Sequence, residues 1–124
     1  MDVKVIASRY TDRPKTDPGA RVFSISDYIV TEADKVRAGR MYVGDAFRAV
    51  VITLKPGDAQ EVHMHPETDH AWFVVSGEAE LTMEDGRTQT IRPGIFCVHP
   101  RTTVHGVKNN GDVDFVYIAL STGV

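Results

Sequence analysis

From residue 46 onward the chain is a succession of short β-rich stretches, each stopped by a turn signal. Stretches such as AFRAVVITL, HAWFVVSG and VDFVYIAL are rich in Val, Ile, Thr and aromatic residues, and Gly, Pro, Asn or Asp ends each one. Asp85-Gly86 and Asn110-Gly111 are dipeptides typical of tight turns. Turn signals at intervals of about 8–12 residues, without helices between them, are typical of antiparallel sandwiches and small barrels. We therefore predict an all-β sandwich or small barrel over residues 46–124.

The first 45 residues follow a different pattern, and we predict an extension that packs on the barrel. Residues 11–20, TDRPKTDPGA, are rich in Pro and Gly and are predicted to be loop. The next stretch, RVFSISDYIV, has the composition of a strand, whereas TEADKVRAG has the pattern of a short helix from Thr31 to Gly39. Because 124 residues suit one domain, 1–45 and 46–124 are predicted to be parts of a single domain.

Charge and hydropathy exclude several classes of partner. The chain has 14 Lys and Arg against 17 Asp and Glu, without the dense basic stripe that nucleic-acid binding requires. No run approaches the ~18 apolar residues of a membrane span, and charges stand where a signal peptide would be apolar. The single cysteine, Cys97, excludes an internal disulfide and suits a reducing compartment. We expect a cytoplasmic protein that binds neither nucleic acid nor membrane.

Five histidines against one cysteine indicate that any metal or acid–base chemistry is carried by imidazole. His63 and His65 stand two residues apart, so on a strand both side chains point to the same face. His70 follows a turn predicted over residues 66–69, and a hairpin of that length can bring it back beside His65. His105 begins another strand 35 residues later.

The spacing of these histidines resembles the two sequence motifs of the cupin family. Residues 57–77 read G-x5-H-x-H-x4-H-x6-G, which matches the first motif except that His70 stands in place of a glutamate. Residues 94–109 read G-x5-P-x-T-x2-H-x3-N, which matches the second motif except that Thr102 replaces a glycine. The chain is thus similar to small single-domain cupins, and the two motifs together cover less than half of its length.

This resemblance implies a double-stranded β-helix, a jelly-roll barrel that holds one divalent metal ion near one mouth. The implied ligands are His63, His65 and His105, with His70 in the position of the glutamate. Glu67 and Asp69 are the nearby carboxylates that could replace it, but Asp69 disturbs the spacing to the following glycine and Glu67 lies in the turn. We therefore favour His70 as the fourth ligand.

Four neutral imidazoles would leave the ion its full charge of +2, which favours an anionic ligand such as an enolate, carboxylate or phenolate. Imidazole binds Fe, Mn, Co, Ni, Cu and Zn alike, so the ligands do not select the metal. We expect an oxygenase acting on a small enolisable or aromatic anionic compound. A non-redox isomerase, lyase or cyclase is the alternative, as is a binding protein without turnover.

Alternation along the strands identifies candidates for the substrate pocket. If His70 points inward, Trp72 and Val74 share its face, and an inward Arg48 could hold a substrate carboxylate. Ala79, Leu81 and Met83 are predicted to pack in the interior.

Glu67, Tyr117 and His99 are each a candidate catalytic group, although none is singled out by its position in the sequence. Small cupins usually form homodimers that protect their sheet edges, and we expect the same here, with Arg21–Val30 as the candidate arm.

Overall fold

The computed structural model describes residues 2–5, 18–32 and 37–122. Within these ranges the chain forms one turn of 3-10 helix, Ile25–Tyr28, and ten strands. The strands are β1 (Lys4–Val5), β2 (Arg37–Val43), β3 (Phe47–Leu54), β4 (Ala59–Met64), β5 (His70–Ser76), β6 (Ala79–Thr82), β7 (Thr88–Ile91), β8 (Phe96–His99), β9 (His105–Lys108) and β10 (Phe115–Thr122).

The strands form two five-stranded sheets that enclose the core. One sheet has the order β1-β4-β9-β6-β7 and the other the order β2-β3-β10-β5-β8. The pairs are antiparallel except β1 with β4, which is parallel. This arrangement confirms the predicted all-β class. Strand β2, which lies within residues 1–45, pairs with β3, so the second sheet begins in the predicted extension.

The core lies between the sheets and follows the alternation predicted from the sequence. Trp72 and Val74 are buried on the inner face of β5, whereas Phe73 between them is 41% exposed. Two of the residues predicted to pack in the interior, Ala79 and Leu81, are buried, and Met83 packs against the same cluster. The buried cluster is made of Leu54, Trp72, Val74, Ala79, Leu81, Ile91, Cys97, Val107, Phe115, Tyr117 and Ala119.

The N-terminal predictions require two corrections. The stretch 21–30 is not a strand, because its middle forms the 3-10 turn Ile25–Tyr28. The helix predicted from Thr31 to Gly39 is wrong over residues 37–39, since Arg37 begins strand β2. Residues 33–36 of that helix and residues 11–17 of the predicted loop lie outside the described residues. Gly39 serves close packing rather than a helix end: a Cβ on it would lie 1.9 Å from the Tyr28 carbonyl oxygen.

The turns of the two motifs use backbone with positive φ. Gly57, Gly77 and Gly94 have φ of 89°, 79° and 90°. Thr102, which stands where the second motif has glycine, also adopts positive φ, 68°. Among the described residues it is the one non-glycine residue to do so. The chain therefore keeps the glycine conformation without the glycine, at a cost of about 1–2 kcal/mol for a β-branched side chain.

Replacing Thr102 by glycine should stabilise the protein. Relief of the strain exceeds the extra entropy that glycine gives the unfolded chain, and we expect a gain of about 0.5–1 kcal/mol in the free energy of unfolding. Urea denaturation measures it. Thr103→Gly is the matched control: Thr103 does not have positive φ, so glycine there relieves no strain and should destabilise the protein. A lower free energy of unfolding in Thr102→Gly than in the wild type would contradict the prediction that the Thr102 backbone is strained.

Candidate metal centre

Two histidines of the first sheet and one just beyond it bring their ring nitrogens together. One nitrogen each from His63, His65 and His105 lies within 4.8 Å of the others. His63 on β4 pairs directly with His105 on β9, so the two side chains share the inner face, and His65 follows two residues after His63. The two motifs thus meet because β4 and β9 are neighbours in the sheet.

Local hydrogen bonds set the orientation of two of these rings. Nδ1 of His63 donates to the carbonyl of Glu61 at 2.6 Å, and Nδ1 of His105 donates to the carbonyl of Thr103 at 2.9 Å. Because a carbonyl only accepts, Nδ1 carries the proton in each ring and the lone pair is on Nε2. Nε2 of His105 is buried and has no hydrogen-bond partner in the described part of the chain. This donor set fits a divalent transition metal.

His70 lies beside this cluster, but its nitrogens contact hydroxyl groups. Its ring stacks on that of His65, with 3.8 Å between centroids. Nε2 of His70 is 2.7 Å from the Thr68 hydroxyl, and Nδ1 is 3.4 Å from the hydroxyl of Ser121. The structure therefore brings the fourth predicted ligand to the site, with its ring held by Thr68.

The two nearby carboxylates are used elsewhere or exposed. Oδ1 of Asp69 accepts the backbone N–H of Arg101 at 2.8 Å, and the Asp69 carbonyl accepts the N–H of Thr122 at 3.1 Å. Glu67 is exposed. Asp69 therefore connects the turn before β5 to the loop after β8 and to the end of β10.

Burial keeps three histidines in and beside the site neutral. Desolvation lowers the pKa of His70 to about 3, and the neighbouring His65 and Arg48 lower it further in the same direction. Desolvation likewise lowers the pKa of His99 to about 4 and lowers that of His105 well below its usual range. Neutral imidazoles at neutral pH are ready to bind a metal ion without first releasing a proton.

His99, which matches no ligand position of the motifs, is buried against the site. Its ring is parallel to that of His105, with 4.1 Å between centroids and 6° between planes. The rings of Trp72 and His99 pack edge to face, with 4.4 Å between their centroids. Nε2 of His99 is buried without a hydrogen-bond partner among the described residues. Cys97, two residues earlier, is also buried, which raises the pKa of its thiol and makes it unreactive.

A cavity of about 510 Å³ reaches His99 and His105. It lies along β7 and β8, the edge strands of the two sheets. Its described wall consists of Leu81, Met83, Glu84, Asp85, Arg87, Gln89, Ile91, Ile95, Phe96, Cys97, Val98, His99, Thr103, Val104 and His105.

The residues predicted to line the substrate pocket lie on the inner faces but outside this wall. Trp72 and Val74 belong to the buried core. Arg48 is buried on β3, opposite Ser121, and its positive charge acts on His70. Alternation identifies inner faces but cannot show which edge strands border a cavity, and so it missed wall residues such as Ile91.

Of the three candidate catalytic groups, His99 lines the cavity. Tyr117 is completely buried between the rings of Trp72 and Phe115, and burial raises the pKa of its hydroxyl. That hydroxyl has no hydrogen-bond partner among the described residues. Glu67 is exposed on the turn before β5.

Known proteins share both the sequence pattern and the fold. The family model described as the cupin domain matches residues 50–121. Oxalate decarboxylase OxdC of Bacillus subtilis is 30% identical over 95 residues, covering 66% of this chain and 24% of that protein. Mannose-1-phosphate guanylyltransferase of Escherichia coli is 30% identical over 80 residues, covering 64% of this chain and 16% of its own length. The chain thus spans a quarter or less of these two relatives.

A solved structure is similar over almost the whole molecule. It is a conserved protein with a double-stranded β-helix domain from Klebsiella pneumoniae, 25% identical, with a TM-score of 0.76. The match covers 85% of this chain and 91% of that one. Among the described residues, no helix has the length and apolar character to cross a membrane. The family match, the two-sheet barrel and the histidine cluster agree, and the chain belongs to the cupin family.

Proposed function

We propose that this protein is a metal-dependent enzyme that acts on a small anionic compound with O₂ as co-substrate. The observation that carries the proposal is the cluster of three imidazole nitrogens beside a cavity that is large enough for a small molecule. The hydrogen bonds from Nδ1 of His63 and His105 to backbone carbonyls support it, because they fix the ring orientation that a metal ligand needs.

His63, His65 and His105 would hold the ion, and His70 would complete the set after turning away from Thr68. The ion would supply Lewis acidity and a site for O₂. The ligand set contains no carboxylate, so it leaves the positive charge of the ion uncompensated. The charge of Arg48 near His70 adds to the positive potential, and an anionic substrate is therefore favoured. Arg48, Trp72 and Val74 remain predicted substrate contacts.

Replacing His70 by alanine should lower metal affinity by about 10–100-fold, because one imidazole is lost from the set. Elemental analysis of protein purified without chelator, followed by a competition titration with a metal indicator, measures the change. His63→Ala should abolish binding. Glu67→Gln is the matched control, since it removes a carboxylate from the same turn and should leave the metal content unchanged. Full affinity in His70→Ala would contradict its role as a ligand.

The likeness to oxalate decarboxylase favours a second candidate, a non-redox lyase or isomerase that uses the same site. An oxygen-electrode screen of the Fe(II)-loaded protein with small carboxylates, diketones and phenols separates the two. Substrate-dependent O₂ uptake supports the oxygenase. Turnover of the same compounds under anaerobic conditions overturns it in favour of the second candidate. Tight binding without any product under either condition indicates a binding protein.

We also propose that two copies of the chain pair through an apolar outer face of the second sheet. Phe73, Phe96 and Val98 are 41%, 55% and 61% exposed, and Phe73 pairs directly with Phe96. Ile118 and Leu120 on the neighbouring strand extend this apolar face. Such a face on one protomer is complementary to its own copy across a two-fold axis. The segment 21–30 contacts β2 of its own chain through its 3-10 turn.

Phe73→Ser with Phe96→Ser should convert the dimer to a monomer, because it removes the largest apolar side chains of the face. Light scattering after size-exclusion chromatography gives the molecular mass. Thr88→Ser on the exposed part of β7 serves as control and should remain a dimer. A wild-type mass equal to one chain, 13.7 kDa, would contradict the pairing.

A further inference from the structure

We infer that the cavity along β7 and β8 binds an anion with an apolar body, such as an aryl- or alkyl-carboxylate, rather than a polyhydroxylated sugar acid, and that His99 hydrogen-bonds its head group. This inference rests on the proposed function, because it takes the cavity to be the substrate site of the proposed enzyme. It adds the chemical class of the substrate and a residue, His99, that binds its head group.

The wall of the cavity combines buried apolar residues with exposed charged ones. Its inner part is formed by Leu81, Ile91 and Cys97, which belong to the buried hydrophobic core. A sugar acid placed there would lose hydrogen bonds from its hydroxyl groups to water, with few polar partners to replace them. An aromatic ring or alkyl chain loses nothing and gains from burial.

The charged residues of the described wall are exposed to solvent. Glu84, Asp85 and Arg87 belong to the hairpin between β6 and β7, and Asp85 forms an ion pair with Arg87 on the surface. Because Arg87 is paired with Asp85, Glu84 leaves the three residues with a net negative charge, which repels an anionic head group. The imidazoles of His99 and His105 are the alternative at the deep end.

His99 has the geometry of a ligand-binding group. It is 5% exposed, and its Nε2 has no hydrogen-bond partner in the described part of the chain. A buried polar nitrogen without a partner costs about 1–3 kcal/mol, a cost that a bound ligand removes. The His99 ring stacks in parallel on that of His105, a proposed metal ligand, with 4.1 Å between the two ring centroids. A ligand that reaches the ion can therefore also contact His99.

Calorimetric titration with two probes of similar size, 3-phenylpropanoate and galacturonate, tests the inference. We expect 3-phenylpropanoate to bind at least about tenfold more tightly, because its ring is buried against the apolar wall. His99→Phe keeps the aromatic packing against Trp72 and His105 but removes the hydrogen bond, and affinity should fall about five- to tenfold. His99→Gln, whose amide can replace Nε2–H, should restore most of it. Thr90→Ala, exposed on β7 outside the wall, is the control.

Galacturonate binding as tight as that of 3-phenylpropanoate would overturn the assigned class. An affinity within twofold of wild type in His99→Phe would overturn the role of His99. Each titration is repeated on chelator-treated protein, where the preference for the apolar probe and the effect of His99 should persist. A protein that binds no metal yet shows both effects supports this inference while refuting the proposed enzyme. A metal-loaded, active protein that shows neither the preference for 3-phenylpropanoate nor the effect of His99→Phe supports the proposed enzyme and refutes this inference.

Discussion

Lowering the pH from about 7.5 to about 5 should remove about 6 kcal/mol from the free energy of unfolding of the metal-free protein. Burial lowers the pKa of His70, His99 and His105 far below the value of 6.5 that a histidine has in the unfolded chain. Below pH 6.5 the unfolded state therefore binds three protons that the folded state does not bind. The contribution of the three neutral histidines to the free energy of unfolding is fully present above pH 6.5. Below pH 6.5 it falls by about 1.4 kcal/mol per histidine for each pH unit.

A loss of this size equals the whole stability of many small domains, about 5–15 kcal/mol, so the metal-free protein should unfold near pH 5. Urea denaturation of chelator-treated protein at several pH values measures the slope. His99→Phe removes one of the three groups and should reduce the slope by about a third. Equal stability at pH 7.5 and pH 5.5 would show that these rings are protonated in the folded state.

Replacing Asn109 by aspartate should destabilise the protein by about 3–5 kcal/mol or more. The Asn109 side chain is completely buried, and its Nδ2 donates to the carbonyls of Leu54 and Val113 at 2.9 and 2.8 Å. Its Oδ1 accepts the N–H of Gly111 at 2.9 Å. Aspartate keeps the shape and the acceptor but turns the donor into an oxygen that faces two carbonyl oxygens.

The midpoint of urea denaturation at neutral pH measures this loss. Asn110→Asp adds the same charge at the next residue, which is exposed, and should change stability by no more than about 0.5 kcal/mol. Similar midpoints for the two variants would mean that the Asn109 amide is not essential. The expected difference explains why an asparagine stands at the end of the second motif: its amide joins the end of β3 to the turn between β9 and β10.

The barrel could be predicted from sequence because its signals are local. The glycines at 57, 77 and 94 stand at turns that need positive φ, and the alternation around Trp72 follows directly from strand geometry. The N-terminal region could not be predicted in the same way. Gly39 favours a helix end when only its neighbours in sequence are considered, but its position is decided by Tyr28, whose carbonyl lies against it.

The site also has a part that local sequence predicts and a part that depends on distant residues. The spacing of His63 and His65 predicts a shared face, and the pairing of β4 with β9 then brings in His105. Thr68 holds one nitrogen of His70 from two residues away, but Ser121, near the other nitrogen, is 51 residues away, and no local pattern indicates that contact. The cavity is likewise a consequence of which strands end each sheet, and strand order is a long-range property.

The pairing of β5 with β8 places Trp72 directly opposite Cys97, and the chain contains one tryptophan and one cysteine. The indole also contacts the rings of His99 and His105 at 4.4 and 5.3 Å. The intrinsic fluorescence of the protein at tryptophan wavelengths therefore comes from a single emitter in contact with the site. An ion or ligand bound beside His105 changes the surroundings of this indole, so occupancy of the centre can be followed optically in the native chain without a label.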